Sequence, residues 1–231
     1  MTYEKPKDKP DFNNDNFPSP EYVYNITNQD LHSHTPVDMV IIIPSSQKLK
    51  KQAERLSAFH KQHDGMKVRI VPADELYNEF SSGTPDAMAY RRYLKMLYDR
   101  AKNETEIPKS LLLFGDCVWD NRMLTDECKY LNPDDYLLSY ESDNSYSSVD
   151  CYVNDGWFTL MDEGEGDEPT SKDKEDIGVG RIPAVNDYEA KIVVDKTINY
   201  SLNKTAGSWE NIIMYMGDLS LIHISEPTRL L

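Results

Sequence analysis

A chain of 231 residues has room for one α/β domain or a domain and a half; 39% hydrophobic residues supply a core, and 28% charged residues supply a well-wetted surface. The net charge of −15 has the wrong sign for a nucleic-acid partner, which needs clustered Lys and Arg against phosphate, and for loose adhesion to an anionic membrane. No apolar run approaches the ~20 residues of a membrane span, and polar Met1–Pro20 does not read as a signal peptide, which leaves a cytosolic protein or an internal piece of an exported one.

Residues 1–35 are rich in Pro, Asp, Asn and Lys and read as an extended arm or interdomain connector. Order is expected from Asp38, where the apolar run Met39–Ile43, ended by Pro44, suits a strand buried on both faces of a parallel sheet. Ser45 and Ser46 are placed to cap a following helix, with Leu49, Ala53, Leu56 and Phe59 on its inner face and Gly65 just past its end. Val68–Val71, stopped by Pro72, predicts a second strand, completing a right-handed crossover. Asp74–Phe80 and Asp86–Ala101 predict two helices, the second with Tyr90, Leu94 and Leu97 inward, and Leu111–Phe114 predicts a third strand running into Gly115-Asp116.

Residues 120–147 form a long irregular stretch of the kind that is usually functional or mobile. Asn154-Asp155-Gly156 fits a hairpin turn between two β-like pieces in 149–160. Ile177–Ile182 reads as a strand with little room for side chains. Asn186 with Glu189 resembles a capping box opening a helix to about Leu202, with Tyr188, Ile192, Val193, Ile198 and, as a misfit, Asp195 partly inward. Ile212–Met216 reads as a last strand, followed by Gly217-Asp218. The final segment, LSLIHISEPTR from Leu219, resembles a translated sequencing adapter, so residues 219–231 are expected not to be native and His223 is set aside.

The predicted architecture is an α/β fold with an open, mostly parallel sheet flanked by helices, and sites in such sheets form at the carboxyl ends of strands. Two strands end alike, in Phe114-Gly115-Asp116 and Met216-Gly217-Asp218, where glycine permits a sharp departure and presents a carboxylate at the sheet edge; an ordinary turn with a capping Asp is the plain alternative. The three cysteines, Cys117, Cys128 and Cys151, are odd in number and lack a Cys-x-x-Cys pair, which fits neither a disulfide framework nor a zinc site. His60 and His63 could share a metal, but with no third ligand evident a solvated helix face is expected. The cluster Asp162, Glu163, Glu165, Asp167 and Glu168 lacks EF-hand spacing and reads as an exposed loop. No phosphate-binding glycine loop is present, and no cofactor or metal is expected.

Several stretches resemble the gingipain-type cysteine peptidase family, and within it the PorU-type sortases of the type IX secretion system. They are Val37–Pro44, Gln52–Leu56, His63-Asp64-Gly65, Tyr77–Ala87 with its Tyr-Asn-Glu-Phe-Ser-Ser-Gly-Thr-Pro-Asp run, Leu111–Asp116, Leu160–Gly166 and Ile177–Pro183; the likeness spans about residues 21–218. It implies a caspase-related α/β fold, truncated, with 36–218 as the N-terminal part of a peptidase domain. It also implies location at the outer-membrane surface or extracellular side, with secreted cargo proteins carrying C-terminal signal domains, and other type IX secretion components, as partners. The family removes that signal domain with a Cys nucleophile and a His, and joins the cargo to an anionic lipopolysaccharide. Its catalytic His sits in a Gly-His-Gly-type turn, and none of the five histidines here has glycine neighbours. Cys117 follows a strand, but at a place where the family does not carry its nucleophile. The resemblance implies that Asp218 is the acidic partner of a His absent from this sequence; Asp116 is a weaker candidate at the same edge, for substrate. Two other readings stand beside it: a non-catalytic peptidase-like domain that binds cargo or a secretion partner, and a calcium-binding surface module.

Overall fold

The computed structural model describes residues 28–144, 147, 149, 151–166, 172–204 and 206–214. Four strands form one parallel sheet: β1 (Met39–Ile43), β2 (Val68–Pro72), β3 (Ser110–Phe114) and β4 (Gly178–Ile182), in the order β2-β1-β3-β4. The register pairs Met39 with Val68 on one side of β1 and with Ser110 on the other, and Ser110 with Gly178 across β3 and β4. Every residue of β1 is buried, as an uncharged run at the centre of a sheet covered on both faces requires.

Four helices connect and cover the strands: α1 (Lys50–His63), α2 (Ala73–Phe80), α3 (Met88–Asp99) and α4 (Asp187–Ser201). Val40, Ile42, Val71, Leu111 and Leu113 join Leu76, Tyr90, Leu94 and Leu97 of α2 and α3 in one apolar cluster. On α1, Ala53 and Leu56 are buried as the spacing predicts, and Gln52 Nε2 donates to Asp187 Oδ1 at 2.9 Å, tying α1 to the start of α4. Gly65 follows α1 with φ 68°, the left-handed conformation that glycine adopts without penalty. Among the described residues no helix is long and apolar enough to cross a membrane.

Several local expectations need correction. Ser45 and Ser46 do not cap α1: its N-cap is Leu49, without a side-chain bond, because the chain first turns through Gln47 (φ 55°) while Ser46 N donates to Asp134 O at 2.8 Å. The Asn154–Gly156 segment is not a hairpin. Asn154 Oδ1 accepts from Gly156 N at 2.8 Å and caps a 3-10 turn, Asp155–Thr159, that inserts Trp157 and Phe158 into the core; among the described residues one antiparallel bridge, Glu141 to Val153, remains of the β character. Burying two large aromatic rings outweighs the propensity of a short turn. The capping box of α4 is present, with Asn186 Oδ1 accepting from Glu189 N and Glu189 Oε2 accepting from Val185 N, both at 3.0 Å. Its buried face is nevertheless Ala190 and Val194, with Tyr188 and Ile192 exposed.

The chain divides into two units after Val194. In the second, Tyr200 and Trp209 approach with ring centroids 6.1 Å apart, and Ser208–Asn211 is a 3-10 turn. Ile212, Ile213 and Met214 are exposed and form no strand, contrary to expectation, since an apolar run becomes a strand only against a sheet partner. Residues 215–218, with Asp218, lie outside the described residues, as do 1–27 and 219–231.

Candidate functional site

The strand order sets a switch point between β1 and β3: the chain leaves β1 toward β2 and leaves β3 toward β4, and crevices in α/β sheets open where this happens, beyond the carboxyl ends of the strands. Here β3 runs into Gly115-Asp116-Cys117 and β4 into Pro183-Ala184. A Cβ on Gly115 would stand 2.8 Å from Pro44 Cγ and 3.2 Å from Leu137 Cγ, so only glycine lets β3 pass this close to the end of β1. Asp116 N then donates to Ala184 O at 3.2 Å, Leu137 N donates to Asp116 O at 2.9 Å, and Cys117 N donates to Asp116 Oδ1 at 2.9 Å. The corner is thus fixed from three sides, and Asp116 stands at the end of β3 as its sequence position predicts.

Beneath the corner lies a pair that sequence reasoning missed. Arg181, from β4, donates through Nε and Nη2 to the two carboxylate oxygens of Asp155 at 2.8 and 2.6 Å. Its Nη1 donates to Gly115 O and its Nη2 also to Leu138 O, each at 3.2 Å. The Arg181 side chain is only 10% exposed, so one planar guanidinium joins β3, β4, the 138 segment and the 155–159 turn. The available signal was an Arg inside a strand otherwise made of Gly, Val and Ile.

Among the described residues no hydrogen bond joins a thiol to an imidazole. Burial pushes the Cys117 thiol above its ordinary range; the Arg181 charge opposes this, and Asp155 and Asp116 add to it. A thiol held protonated is a poor nucleophile at neutral pH. Each described histidine hydrogen-bonds elsewhere. His32 Nδ1 meets Glu79 at 2.7 Å, His34 Nδ1 meets the Tyr93 hydroxyl at 2.9 Å, and His60 and His63 each meet Asp64 at 2.6 Å. His60 and His63 therefore share a carboxylate. Glu165 accepts backbone N–H bonds from Asp162 and Lys174 at 3.2 Å, closing its loop on itself; Asp167 and Glu168 lie outside the described residues. Among the described residues no three His, Cys, Asp or Glu side chains are grouped to hold a metal ion.

Residues 32–226 match the profile of peptidase family C25. The crystal structure of dimeric latent PorU from Porphyromonas gingivalis is 34% identical, with a TM-score of 0.68, over 83% of this chain and 18% of that one. The crystal structure of the Arg-specific cysteine proteinase gingipain R is 15% identical, with a TM-score of 0.47, over 77% of this chain and 30% of that one. A search of curated proteins finds no match. The chain therefore spans less than a fifth of the PorU chain it resembles.

Proposed function

Given that this chain belongs to peptidase family C25, we propose that it is the N-terminal part of the catalytic domain of a type IX secretion sortase. The enzyme works at the outer-membrane surface, removes the C-terminal signal domain of secreted cargo and transfers the cargo to an anionic lipopolysaccharide. The observation that carries this reading is the 34% identity to PorU across 83% of the chain, in a common fold.

In this reading the four-stranded sheet is the platform and its carboxyl edge faces the substrate, with Asp116 at the end of β3. The Cys nucleophile and its His come from sequence beyond Asp218, and Asp218 orients the imidazole and stabilises its charged form. The thiolate adds to the carbonyl at the junction of cargo and signal domain. Loss of the amine, protonated by the imidazolium, leaves a thioester on the cargo. An acceptor amine or water then breaks the C–S bond and returns the thiol, which is how one dyad supports both transpeptidation and hydrolysis. The family match runs to residue 226, past the Asp218 boundary.

The test is to incubate the full-length protein from the source gene with a cargo fragment bearing its C-terminal signal domain and to follow release by mass spectrometry. Thiol-dependent release is expected, and Asp218→Asn should lower kcat by roughly 10²–10⁴ with little change in KM. Binding of the fragment without cleavage would favour a non-catalytic, cargo-binding relative.

A further inference from the structure

The geometry points to β2 as an open sheet edge that binds an acidic, extended peptide segment by strand addition, independently of any catalytic role for the chain. Among the described residues, strand β2 pairs only with β1 and ends the sheet. Lys67 O accepts from Met39 N at 3.1 Å, so the main-chain groups of Lys67 face β1. Alternation along a parallel strand then turns those of Arg69 and Val71 the same way, and those of Val68 and Ile70 outward. Two outward N–H and two outward C=O groups make a short template for an added strand.

The surroundings of this edge select the strand. Two shallow grooves, of about 350 and 330 Å³, lie along β2 and share Lys61 and Val68. The first is lined by Lys61, Lys67 and Arg69 with Pro36, Val37 and Met66, and contains no acidic residue. The second adds Glu54 as its single acid. Arg69 donates to Thr35 O at 3.0 Å and so fixes the segment that walls the first groove. Lys61 and Lys67 are exposed and make no ion pair among the described residues. In a chain of net charge −15 this is an unpaired cationic strip, beside apolar Val68 and Ile70 and open main-chain groups. A peptide alternating carboxylates with β-branched residues satisfies all three features: main chain to main chain, apolar side chains to the grooves, and carboxylates to the two ammonium groups.

The probe is a fluorescein-labelled acetyl-Glu-Val-Thr-Val-Glu-Val-amide peptide, titrated into the 231-residue chain and followed by anisotropy and by amide chemical shifts. Saturable binding is expected, with the largest shifts at Val68 and Ile70, and with a Lys-for-Glu version of the peptide about tenfold or more weaker. The surface double variant Lys61→Glu/Lys67→Glu should reverse that preference while it still melts cooperatively, and Ile70→Pro, which removes one outward N–H, should weaken the acidic peptide. Equal binding of both peptides, no binding, or shifts mapping elsewhere would overturn the proposal. Concentration-dependent dimers that broaden Val68 and Ile70 would overturn it in favour of a second copy of this chain at the edge. The readout involves no cleavage, so neither result bears on the peptidase reading.

Discussion

Arg181 sits on a strand whose other members are Gly, Val and Ile, and its charge is nearly removed from water. Desolvating a guanidinium and a carboxylate costs several kcal/mol per ion, and the pair persists because its geometry is bidentate and its spare donors find Gly115 O and Leu138 O. The loss of one partner should therefore cost more than the loss of both. Arg181→Met is expected to destabilise the chain by about 1–3 kcal/mol, leaving Asp155 half-buried and unpaired, whereas Arg181→Met/Asp155→Leu should recover most of that. Urea unfolding of the single and double variants measures the coupling; additive losses would show that the pair is not the unit that holds the corner. Residue-scale chemistry was only half legible in the sequence. Asp116 follows a recognisable strand and glycine, so its place at the edge could be read directly. The Arg181–Asp155 pair joins positions 26 apart through a turn that the sequence presents as a hairpin, and neither residue has a local pattern naming its partner.

At the scale of elements, Asp38 is the point where three strands begin. Its carboxylate accepts from Lys67 N at 2.8 Å and from Lys109 Nζ at 2.9 Å, and its carbonyl accepts from Lys109 N at 2.8 Å. The Lys67 N–H, and then the Lys109 ammonium, hold its pKa below the ordinary 3.8. Because the folded value is the lower one, the contribution of this carboxylate is fully present above about pH 4 and is lost as pH falls through the folded pKa. Asp38→Asn should then lower Tm at pH 7, with the difference from wild type shrinking as pH falls below about 4 and further through the folded pKa, a result that thermal melts across the acid range would check. A Tm difference constant with pH would assign the loss to packing instead. The strands themselves were readable because apolar runs bounded by Pro or Gly at Met39–Ile43, Val68–Pro72 and Ser110–Phe114 admit few other structures. Where tertiary burial decided, local pattern failed: Trp157 and Phe158 turned a hairpin sequence into a 3-10 turn, and the small residues Ala190 and Val194, not the larger Tyr188 and Ile192, became the buried face of α4.

For the whole molecule, the first unit already holds a complete order of four parallel strands, an apolar cluster from Leu31 to Ile177 and a fixed corner at the β3 carboxyl end. Those are the parts of a family C25 domain that this sequence supplies. Among the described residues, burial raises the pKa of the Cys117 thiol, and His32, His34, His60 and His63 are bonded to Glu79, Tyr93 and Asp64. The proposed peptidase activity therefore rests on a nucleophile and a base that follow Asp218. Sequencing the source gene in one long read through codon 218 tests this most directly. A frame that continues into a Gly-His-Gly turn and later a Cys at a strand end is the predicted result. A gene whose frame closes at Leu231 with no such pair would contradict it, and would leave a C25 fold that binds rather than cuts.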